Sequence, residues 1–369
     1  MRKNILIICD KDEVYCRRLD AELKSRLMMQ TEIYCFTRTD LMMEFAEKEK
    51  PLVLVIGEGM LGGVTGSYES MLILEDDLDP DDEAEKVDCS ETDEDNENAS
   101  GEASPAVSDH IRRVSKYRSA EVLISNILEL CAEIPDERIG VRTAVGTHDT
   151  RKTVFYAPVH GKGQTSLCMA MALNLAERGR RVLVLNLEPC SGWSVPARIP
   201  CTPNPPVQQD DEDTEEAEDR WEGLSELVYH ASGSEAKFRI HLERLVRKFS
   251  SVDYIPPVRI PGKLRSIGRK QWQGLLRQID SCGIYDDLLI DLTDAAEGLE
   301  NFIVDAADII YTVTGEDPVS ERRQREYEKG LLLWGGKDIL YRTKKVRVPD
   351  ELRGSEQKLM EFAGTLIDE

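Results

Sequence analysis

The chain of 369 residues is long enough for two domains of ordinary size, and 41% of its residues are hydrophobic, enough to build a core. Its net charge is −23, but the acidity is concentrated in two runs. The run from Glu75 to Asp109 carries sixteen acidic residues and one basic residue, and the run from Asp210 to Asp219 carries eight acidic residues and no basic one. Outside these runs the chain is neutral. Both runs are predicted to be disordered, and they would repel the phosphates of DNA, so no DNA partner is expected.

The cysteines and the apolar runs exclude several classes of protein. The nine cysteines are scattered and form no Cys-x-x-Cys pair, which disfavours a disulfide framework or zinc site and favours a reducing cytoplasm. No apolar run approaches the length that spans a membrane, so we predict no transmembrane segment. The first ten residues end a short apolar run in an acidic residue, which is typical of a strand rather than a signal peptide.

The first third of the chain alternates between apolar strands and helical patterns. Strands are predicted at 4–9, 32–36, 52–57, 71–75 and 111–119, and helices at about 15–27, 40–48 and 119–134. Continuous apolar strands joined by helices indicate a parallel sheet covered on both faces. The first acidic run interrupts this alternation where one further helix is expected.

A second domain follows a polar stretch. Residues 135–150 contain two glycines and many polar residues and are predicted to form a linker. Further strands are predicted at 153–158, 181–187, 287–294 and 307–314, and further helices at 166–179, 242–252, 274–283 and in the tail 351–369. The tail carries five acidic and two basic residues, whereas membrane-surface helices are rich in lysine and arginine, so we expect it to pack on the core.

The order of elements in residues 1–134 resembles the receiver domain of response regulators. Asp10 and Asp12 follow the first strand, where receivers place acidic metal ligands, and Lys116 stands where receivers have a lysine that contacts phosphate. The expected phosphoacceptor position is Gly57, which has no nucleophile. The resemblance implies an interaction domain that is not phosphorylated. Asp10, Asp12 and Lys116 are then either the remnant of a receiver pocket or solvated loop residues.

The second domain contains a glycine-rich loop, APVHGKGQTS at 157–166, between a strand and a helix. Such a loop gathers unpaired backbone N–H groups and favours anions. The usual phosphate-binding pattern is G-x-x-x-x-G-K-[ST]. Against that pattern the loop keeps Gly163 and Thr165, but Gln164 replaces the lysine. The candidate nucleotide-binding residues are Gly161, Lys162, Gly163, Gln164, Thr165 and Ser166.

Two further predicted strands end in polar residues that could bind Mg²⁺ or act in catalysis beside the glycine-rich loop. The strand YDDLLID ends at Asp291, which is expected to hold Mg²⁺ together with Thr165, or else is a charged residue that closes a buried strand. Asn186 and Glu188 end the strand RVLVLNLEPC, where ATPases of the MinD/ParA type usually have two aspartates, and they are the candidates for catalytic work. That type also carries a second lysine early in the loop, and Val159 stands at its position. Both expected lysines are therefore absent.

Six strings make most of the chain similar to the TadZ/CpaE family of pilus-assembly proteins. They are KYRSAEVL, HGKGQTS, LNLEPCSGW, GLSELVYH, DYIPPVRIP and YDDLLIDLTDA. The resemblance implies an α/β fold in two parts. A receiver-like (βα)5 doubly wound parallel sheet spans 1–134, with an acidic disordered insert at about 76–109. A linker at 135–150 leads to a MinD/ParA-like P-loop NTPase domain at 151–369, with an acidic loop at about 202–220.

The same resemblance implies a function. The family dimerises and positions the Tad (Flp) pilus secretion machinery, so a homodimer with pilus partners is expected. Its place is the cytoplasm, at the inner face of the membrane or a cell pole through those partners. ATP and Mg²⁺ are expected to bind weakly or structurally, with slow hydrolysis or none, because removal of the loop lysine leaves phosphate charge unneutralised.

Three alternatives remain open on the sequence. The first is an active ATPase switch for another cargo, with Lys162 or a residue of a partner replacing the lost charge. The second is a DNA partition factor, which the acidic runs and the neutral remainder disfavour. The third is a phosphorylation-driven regulator, which Gly57 disfavours. Whether the chain is an enzyme stays undecided because the phosphate-binding loop is degenerate.

Overall fold

The computed structural model describes most of the chain. The described residues are 4–26, 31–64, 68, 70–76, 110–134, 149–187, 223–256, 258, 261–292, 306–334, 336–352 and 355–368. Almost all of the expected insert at 76–109 and of the expected linker at 135–150 lies outside them, as does the whole expected acidic loop at 202–220. The chain divides into two compact units, residues 1–142 with 239–244 and residues 143–238 with 245–369.

The first unit contains a five-stranded parallel sheet in the order β2-β1-β3-β4-β5. Its elements are β1 (Asn4–Cys9), α1 (Glu13–Arg26), β2 (Thr31–Phe36), α2 (Thr39–Glu49), β3 (Val53–Gly57), β4 (Met71–Glu75), β5 (Ile111–Ser115) and α3 (Ala120–Glu133). This is the 2-1-3-4-5 order of doubly wound folds, in which ligands bind outside the carboxyl ends of the strands.

Helices cover both faces of this sheet, which explains why its inner strands β1, β3 and β4 are almost wholly apolar, whereas the edge strands β2 and β5 contain polar residues. All six residues of β1 are buried. Ile5, Ile7 and Cys9 pack with Met42 and Ala46 of α2 in one core cluster. The intervening residue Leu6 faces a small cavity lined by α3 on the other side. Because successive side chains of a strand point to opposite faces, only a strand buried on both sides needs an unbroken apolar sequence.

The second unit contains a seven-stranded sheet in the order β12-β11-β6-β10-β7-β9-β8, in which only β8 is antiparallel to its neighbour. Its strands are β6 (Arg151–Phe155), β7 (Val182–Asn186), β8 (Arg247–Phe249), β9 (Val252–Ile255), β10 (Asp287–Asp291), β11 (Ile309–Val313) and β12 (Thr343–Val346). Its helices are α4 (Gln164–Glu177), α5 (Leu224–His230), α6 (Glu235–Leu245, whose later residues cluster with the first unit), α7 (Pro261–Ser266), α8 (Arg269–Cys282), α9 (Pro318–Trp334), α10 (Lys337–Arg342) and α11 (Glu356–Asp368). The predicted α/β class with parallel sheets is confirmed.

Helix α4 is the centre of this unit, and the tail helix α11 covers it. Nearly every residue from Ser166 to Leu175 is buried, as expected for a helix that is apolar all round. The Asn174 side-chain amide donates to the Met360 carbonyl at 3.1 Å, and Arg178 pairs with Asp368 at 2.6 Å. The expectation that the tail packs on the core is confirmed. Among the described helices, none has the length and apolarity needed to cross a membrane.

One predicted element is wrong. The sequence pattern predicted a helix at 242–252, but α6 ends at Leu245 and the chain then forms the hairpin of β8 and β9. Ser250 sits at the turn of this hairpin with φ 55°, a left-handed conformation that a right-handed helix does not contain. Lys248 lies opposite Asp253 across the hairpin, where opposite charges stabilise strand pairing.

Candidate functional site

Three neighbouring strands of the second unit end at the same level. Asp291 at the end of β10 lies opposite Phe155 of β6 on one side and opposite Asn186 of β7 on the other. Both Asp291 and Asn186 are fully buried. The glycine-rich loop leaves β6 at this edge and leads into α4. Ligands bind at the carboxyl ends of the strands in open α/β sheets. The fold therefore brings Asp291, Asn186 and the glycine-rich loop together at an edge where a ligand can bind.

The loop turns sharply into α4 because two glycines adopt left-handed backbone. Gly161 has φ 71°, and Gly163, the N-cap residue of α4, has φ 89°. Residues with a Cβ pay roughly 1 to 2 kcal/mol for this conformation, whereas glycine adopts it without that cost. The turn leaves the first backbone N–H groups of a 14-residue helix directed out of its N-terminus, where anions are stabilised.

Gln164 occupies the place of the missing lysine, and its side chain is hydrogen-bonded to the end of β10. Its side-chain amide donates to Asp291 Oδ1 at 2.6 Å and to the carbonyl of Leu292 at 3.0 Å. Asp291 is fully buried, so this amide is a neutral donor to a buried carboxylate. Burial, followed by the nearby carboxylate of Asp291, raises the pKa of the Cys168 thiol well above its usual range. The region between the loop and β10 therefore carries a buried carboxylate with a neutral amide where the usual pattern has a cation.

Lys162, the remaining lysine of the loop, is held by the connection that follows β11. Its ammonium lies 3.0 Å from Asp317 Oδ2, and Asp317 also accepts hydrogen bonds from the backbone and hydroxyl of Ser320. These bonds from Ser320, together with Lys162, hold the pKa of the Asp317 carboxyl well below its usual range. A Cβ added to Gly315 would lie 2.8 Å from Lys162 Cε, so the aliphatic stem packs closely on this connection. Asp317 thus caps α9 and fastens the loop at once.

Of the other residues predicted for this site, the structure describes Thr165 and Ser166 but not Glu188. Thr165 is half-buried and Ser166 is buried in the first turn of α4. Glu188 lies outside the described residues. The hydroxyl of Thr165 and the carboxylate of Asp291 are oxygen donors, the type that Mg²⁺ prefers. The chemistry of this donor set therefore fits a magnesium ion.

The first unit brings together a smaller group at the ends of its strands. Asp10 is 2% exposed and accepts the backbone N–H of Asp12 at 2.8 Å. A Cβ added to Gly57 would lie 2.2 Å from Asp10 Oδ2, so the Asp10 carboxylate fills the space in front of Gly57. The expectation that Asp10 is a solvated loop residue is wrong, because its carboxylate packs between two strand ends.

Lys116 and Asp12 have defined structural partners. Lys116 pairs with Asp76, the residue after β4, and its side chain is only 9% exposed. The hydrogen bond to Asp76, together with the charge of Asp10, raises the pKa of Lys116. Asp12 accepts from the backbone N–H groups of Val14 and Tyr15 and so caps α1. Lys116 is therefore not solvated either, while Asp12 is exposed and structural.

Two partners were missed from the sequence. Asp76 was assigned to the acidic insert because it belongs to a long run of acidic residues. Asp317 stands in TGEDPVS, where an acidic residue before proline and serine is a helix-start signal that could have been recognised. Neither pairing could be inferred, because each joins residues that are distant along the chain.

Comparisons with known proteins give a resemblance in fold. No protein-family model matches the sequence, and no curated protein matches it. A solved ParA family ATPase from Chlorobium tepidum TLS is 15% identical with a TM-score of 0.39, covering 58% of this chain and 81% of that one. The MinD cell division protein of Aquifex aeolicus is 15% identical with a TM-score of 0.38, covering 60% of this chain and 98% of that one.

A third solved structure is cobyrinic acid a,c-diamide synthase from Mycobacterium smegmatis, with bound ATP analog and magnesium. It is 15% identical with a TM-score of 0.37, covering 59% of this chain and 94% of that one. Similarities at this level of identity and TM-score carry no information about the activity of this chain.

Proposed function

We propose that residues 151–369 form a P-loop domain of the MinD/ParA type that binds ATP with Mg²⁺ weakly and hydrolyses it slowly or not at all. The observation that carries the proposal is the loop that enters α4 through left-handed Gly161 and Gly163 beside the buried carboxylate of Asp291. Backbone N–H groups at such a loop suit the phosphates. Gly161, Lys162, Gly163, Gln164, Thr165 and Ser166 are the nucleotide-binding residues of this proposal.

The weakness of the site follows from Gln164. Its amide donates to Asp291, whereas a lysine at this position would place a positive charge near the phosphates. Thr165 and Asp291 are the proposed residues that hold Mg²⁺, which would neutralise phosphate charge when bound. Asn186 is at the strand end beside Asp291, and its neutral amide cannot act as a general base. Glu188 remains the candidate for that role.

An active ATPase is the second candidate, with Lys162 as the replacement cation. One observation favours it: Lys162 is fixed by Asp317 and by packing on Gly315, so its position on the loop is defined. However, the Lys162 ammonium is already paired with the Asp317 carboxylate, which opposes a role in neutralising phosphate. The two candidates differ in turnover, which a phosphate-release assay measures directly.

For the whole chain, we propose a localisation and assembly factor like those of the TadZ/CpaE family. Residues 1–134 would be an atypical receiver-like domain, with Asp10, Asp12 and Lys116 as its pocket remnant, joined by a linker at 135–150. It would act as an interaction domain in a homodimer that recruits pilus or secretion machinery in the cytoplasm, at the membrane face or at a cell pole. Asp10 occupies the space in front of Gly57, which supports a role without phosphorylation.

Melting temperature with and without nucleotide tests the binding site. If about 10 mM ATP with Mg²⁺ is 100 times the Kd, it stabilises the domain by about 2.7 kcal/mol, a shift of several degrees. The matched variant is Asp291→Asn, which keeps an oxygen that can accept from Gln164 but removes the charge. We expect it to fold and to lose most of the nucleotide-dependent shift. An unchanged shift in the variant would exclude Asp291 from the site.

Localisation tests the wider proposal separately. A fluorescent fusion of the full chain is expected to form foci at one cell site, and to lose them when the genes of the pilus machinery are deleted. Foci that persist after deletion would point to another cargo. Diffuse fluorescence in both strains would exclude a localisation factor without bearing on the nucleotide site.

A further inference from the structure

The lysine that remains in the glycine-rich loop is paired across two strand ends. Strands β6 and β11 are parallel neighbours, so the loop after β6 and the connection after β11 leave the sheet at the same edge. Lys162 of the loop reaches this connection, where its ammonium lies 3.0 Å from Asp317 Oδ2. Gly315 makes room for the contact, because a Cβ there would lie 2.8 Å from Lys162 Cε and 2.7 Å from Ser320 Oγ. The pair therefore sits at the edge of the sheet that carries the proposed phosphate site.

Asp317 does not depend on Lys162 for its own position. The backbone N–H of Ser320 donates to Asp317 Oδ1 at 2.9 Å, and the Ser320 hydroxyl donates to Asp317 Oδ2. Both bonds belong to the cap of α9, and hydrogen bonds to a carboxylate favour its ionised form. The Asp317 carboxylate is therefore expected to stay charged and in place if the ammonium of Lys162 moves to another anion.

Lys162 lies next to the place where such an anion would bind. It stands between Gly161 and Gly163, whose left-handed backbone turns the loop into α4. It is also the one lysine or arginine in the segment 157–166. An anion held by the N–H groups at the start of α4 would therefore compete with Asp317 for this charge. A phosphate group carries more negative charge than a single carboxylate, which favours the exchange.

We infer that Asp317 is an internal competitor of phosphate: it holds Lys162 when no nucleotide is bound, and a bound phosphate takes the ammonium from it. The inference rests on the proposed nucleotide site and adds a positioning residue that acts through Lys162. The two side chains are 29% and 45% exposed, and ion pairs at such exposure are weak because water screens them. Releasing Lys162 is therefore expected to cost about two- to fivefold in affinity for nucleotide.

The test is titration of a fluorescent ATP analogue with Mg²⁺ into the native full chain and two variants. Asp317→Asn removes the charge but keeps an oxygen that can accept from Ser320, and asparagine caps helices as well as aspartate does. The matched control Glu316→Gln removes the same charge one residue away, from a carboxylate that pairs with Arg347. Affinity is expected to rise about two- to fivefold in Asp317→Asn and to change much less in Glu316→Gln. Equal rises in both variants would show general repulsion of anions and overturn the inference.

A third variant, Lys162→Met, separates competition from direct repulsion. It removes the ammonium but keeps most of the aliphatic stem that packs near Gly315. We expect it to bind the analogue more weakly than the native chain does, and we expect Asp317→Asn to add no gain in this background. A gain from Asp317→Asn that is as large without Lys162 as with it would mean that Asp317 repels phosphate directly, and the inference would be wrong.

The same titrations distinguish failure of this inference from failure of the proposed function. Saturable binding with one Kd shared by the native chain and Asp317→Asn would leave the nucleotide site in place and overturn the competition alone. Absence of saturable binding in every chain, with thermal melts showing that each is folded, would overturn both.

Discussion

The substitution Gln164→Lys tests why the proposed nucleotide site is weak. Gln164 Nε2 lies 2.6 Å from Asp291 Oδ1, so a lysine, one bond longer, reaches the same carboxylate and can extend toward the phosphates. The buried carboxylate favours the charged form of the new amine, so it stays protonated at neutral pH. The substitution restores the usual G-K-T sequence at the helix start.

The expected gain follows from the strength of charged hydrogen bonds. A hydrogen bond to a charged group contributes roughly 1.5 to 3 kcal/mol, which corresponds to roughly 10- to 150-fold in affinity for ATP. The control is Gln164→Met, which keeps the length of the side chain but removes the donor. It leaves Asp291 Oδ1 without the Gln164 amide and is expected to lower the free energy of unfolding by about 1 to 3 kcal/mol, with no gain in affinity.

The assay is fluorescence titration with a labelled ATP analogue and Mg²⁺ on the three purified chains, with thermal melts as a check of folding. The lysine variant should bind at least tenfold more tightly than the native chain, and the methionine variant no more tightly. A folded lysine variant with native or weaker affinity would refute the assignment of Gln164 to the phosphate site. Equal gains in both variants would show that the amide obstructs the site and that charge is not the missing element.

Three further substitutions have defined outcomes. Asp317→Asn removes the charge that pairs with Lys162, so protection of the loop amides in hydrogen exchange should fall. In the native chain the folded state lowers the pKa of the Asp317 carboxyl, so the stability from this pairing is fully present above the pKa of the unfolded chain. That stability is lost as the pH falls through the lower pKa of the folded chain. Gly57→Ala places a methyl group 2.2 Å from Asp10 Oδ2 and should destabilise the first unit by about 1 to 3 kcal/mol, measured by urea unfolding. Asp253→Asn should raise Tm at pH 7 and not at pH 3. Burial raises the pKa of the Asp253 carboxyl, so its charged form destabilises the folded state once the pH exceeds the pKa of this carboxyl in the unfolded chain.

Each of these outcomes has a control. Unchanged exchange at the loop in Asp317→Asn would show that Lys162 does not fasten it. The double variant Gly57→Ala with Asp10→Ala should recover most of the lost stability, and strictly additive losses would contradict the steric explanation. For Asp253→Asn, an equal rise in Tm at both pH values would point to packing instead of ionisation.

The parallel sheets could be predicted because their strands carry the signal in sequence. Residues 5–9 and 53–56 are unbroken apolar runs of strand length, and burial on both faces requires that composition. The hairpin at 247–255 was missed because LERLVRKFSSV has helical spacing of apolar residues. There the turn at Ser250 and the pairing with β9 override a local preference.

The site was predictable in part for the same reason. The glycine spacing of the loop and the acidic end of β10 are local signals, and the structure brings Gln164 and Asp291 into contact. The partners Asp76 and Asp317 depend on contacts between distant parts of the chain, which composition does not encode. The sequence left open whether Asp10 is a pocket residue or a solvated loop residue. Its burial could not be inferred, because the space that it fills in front of Gly57 exists only in the folded sheet.

The central claim is that the degenerate loop still binds nucleotide, and isothermal titration calorimetry of the native full chain with ATP and Mg²⁺ tests it most directly. The account predicts saturable heat with a Kd between about 10 μM and 1 mM, corresponding to about 4 to 7 kcal/mol, and loss of that heat in Asp291→Asn. Absence of any saturable heat at millimolar ATP, with the protein folded, would contradict it. The loop would then be a structural element without a nucleotide.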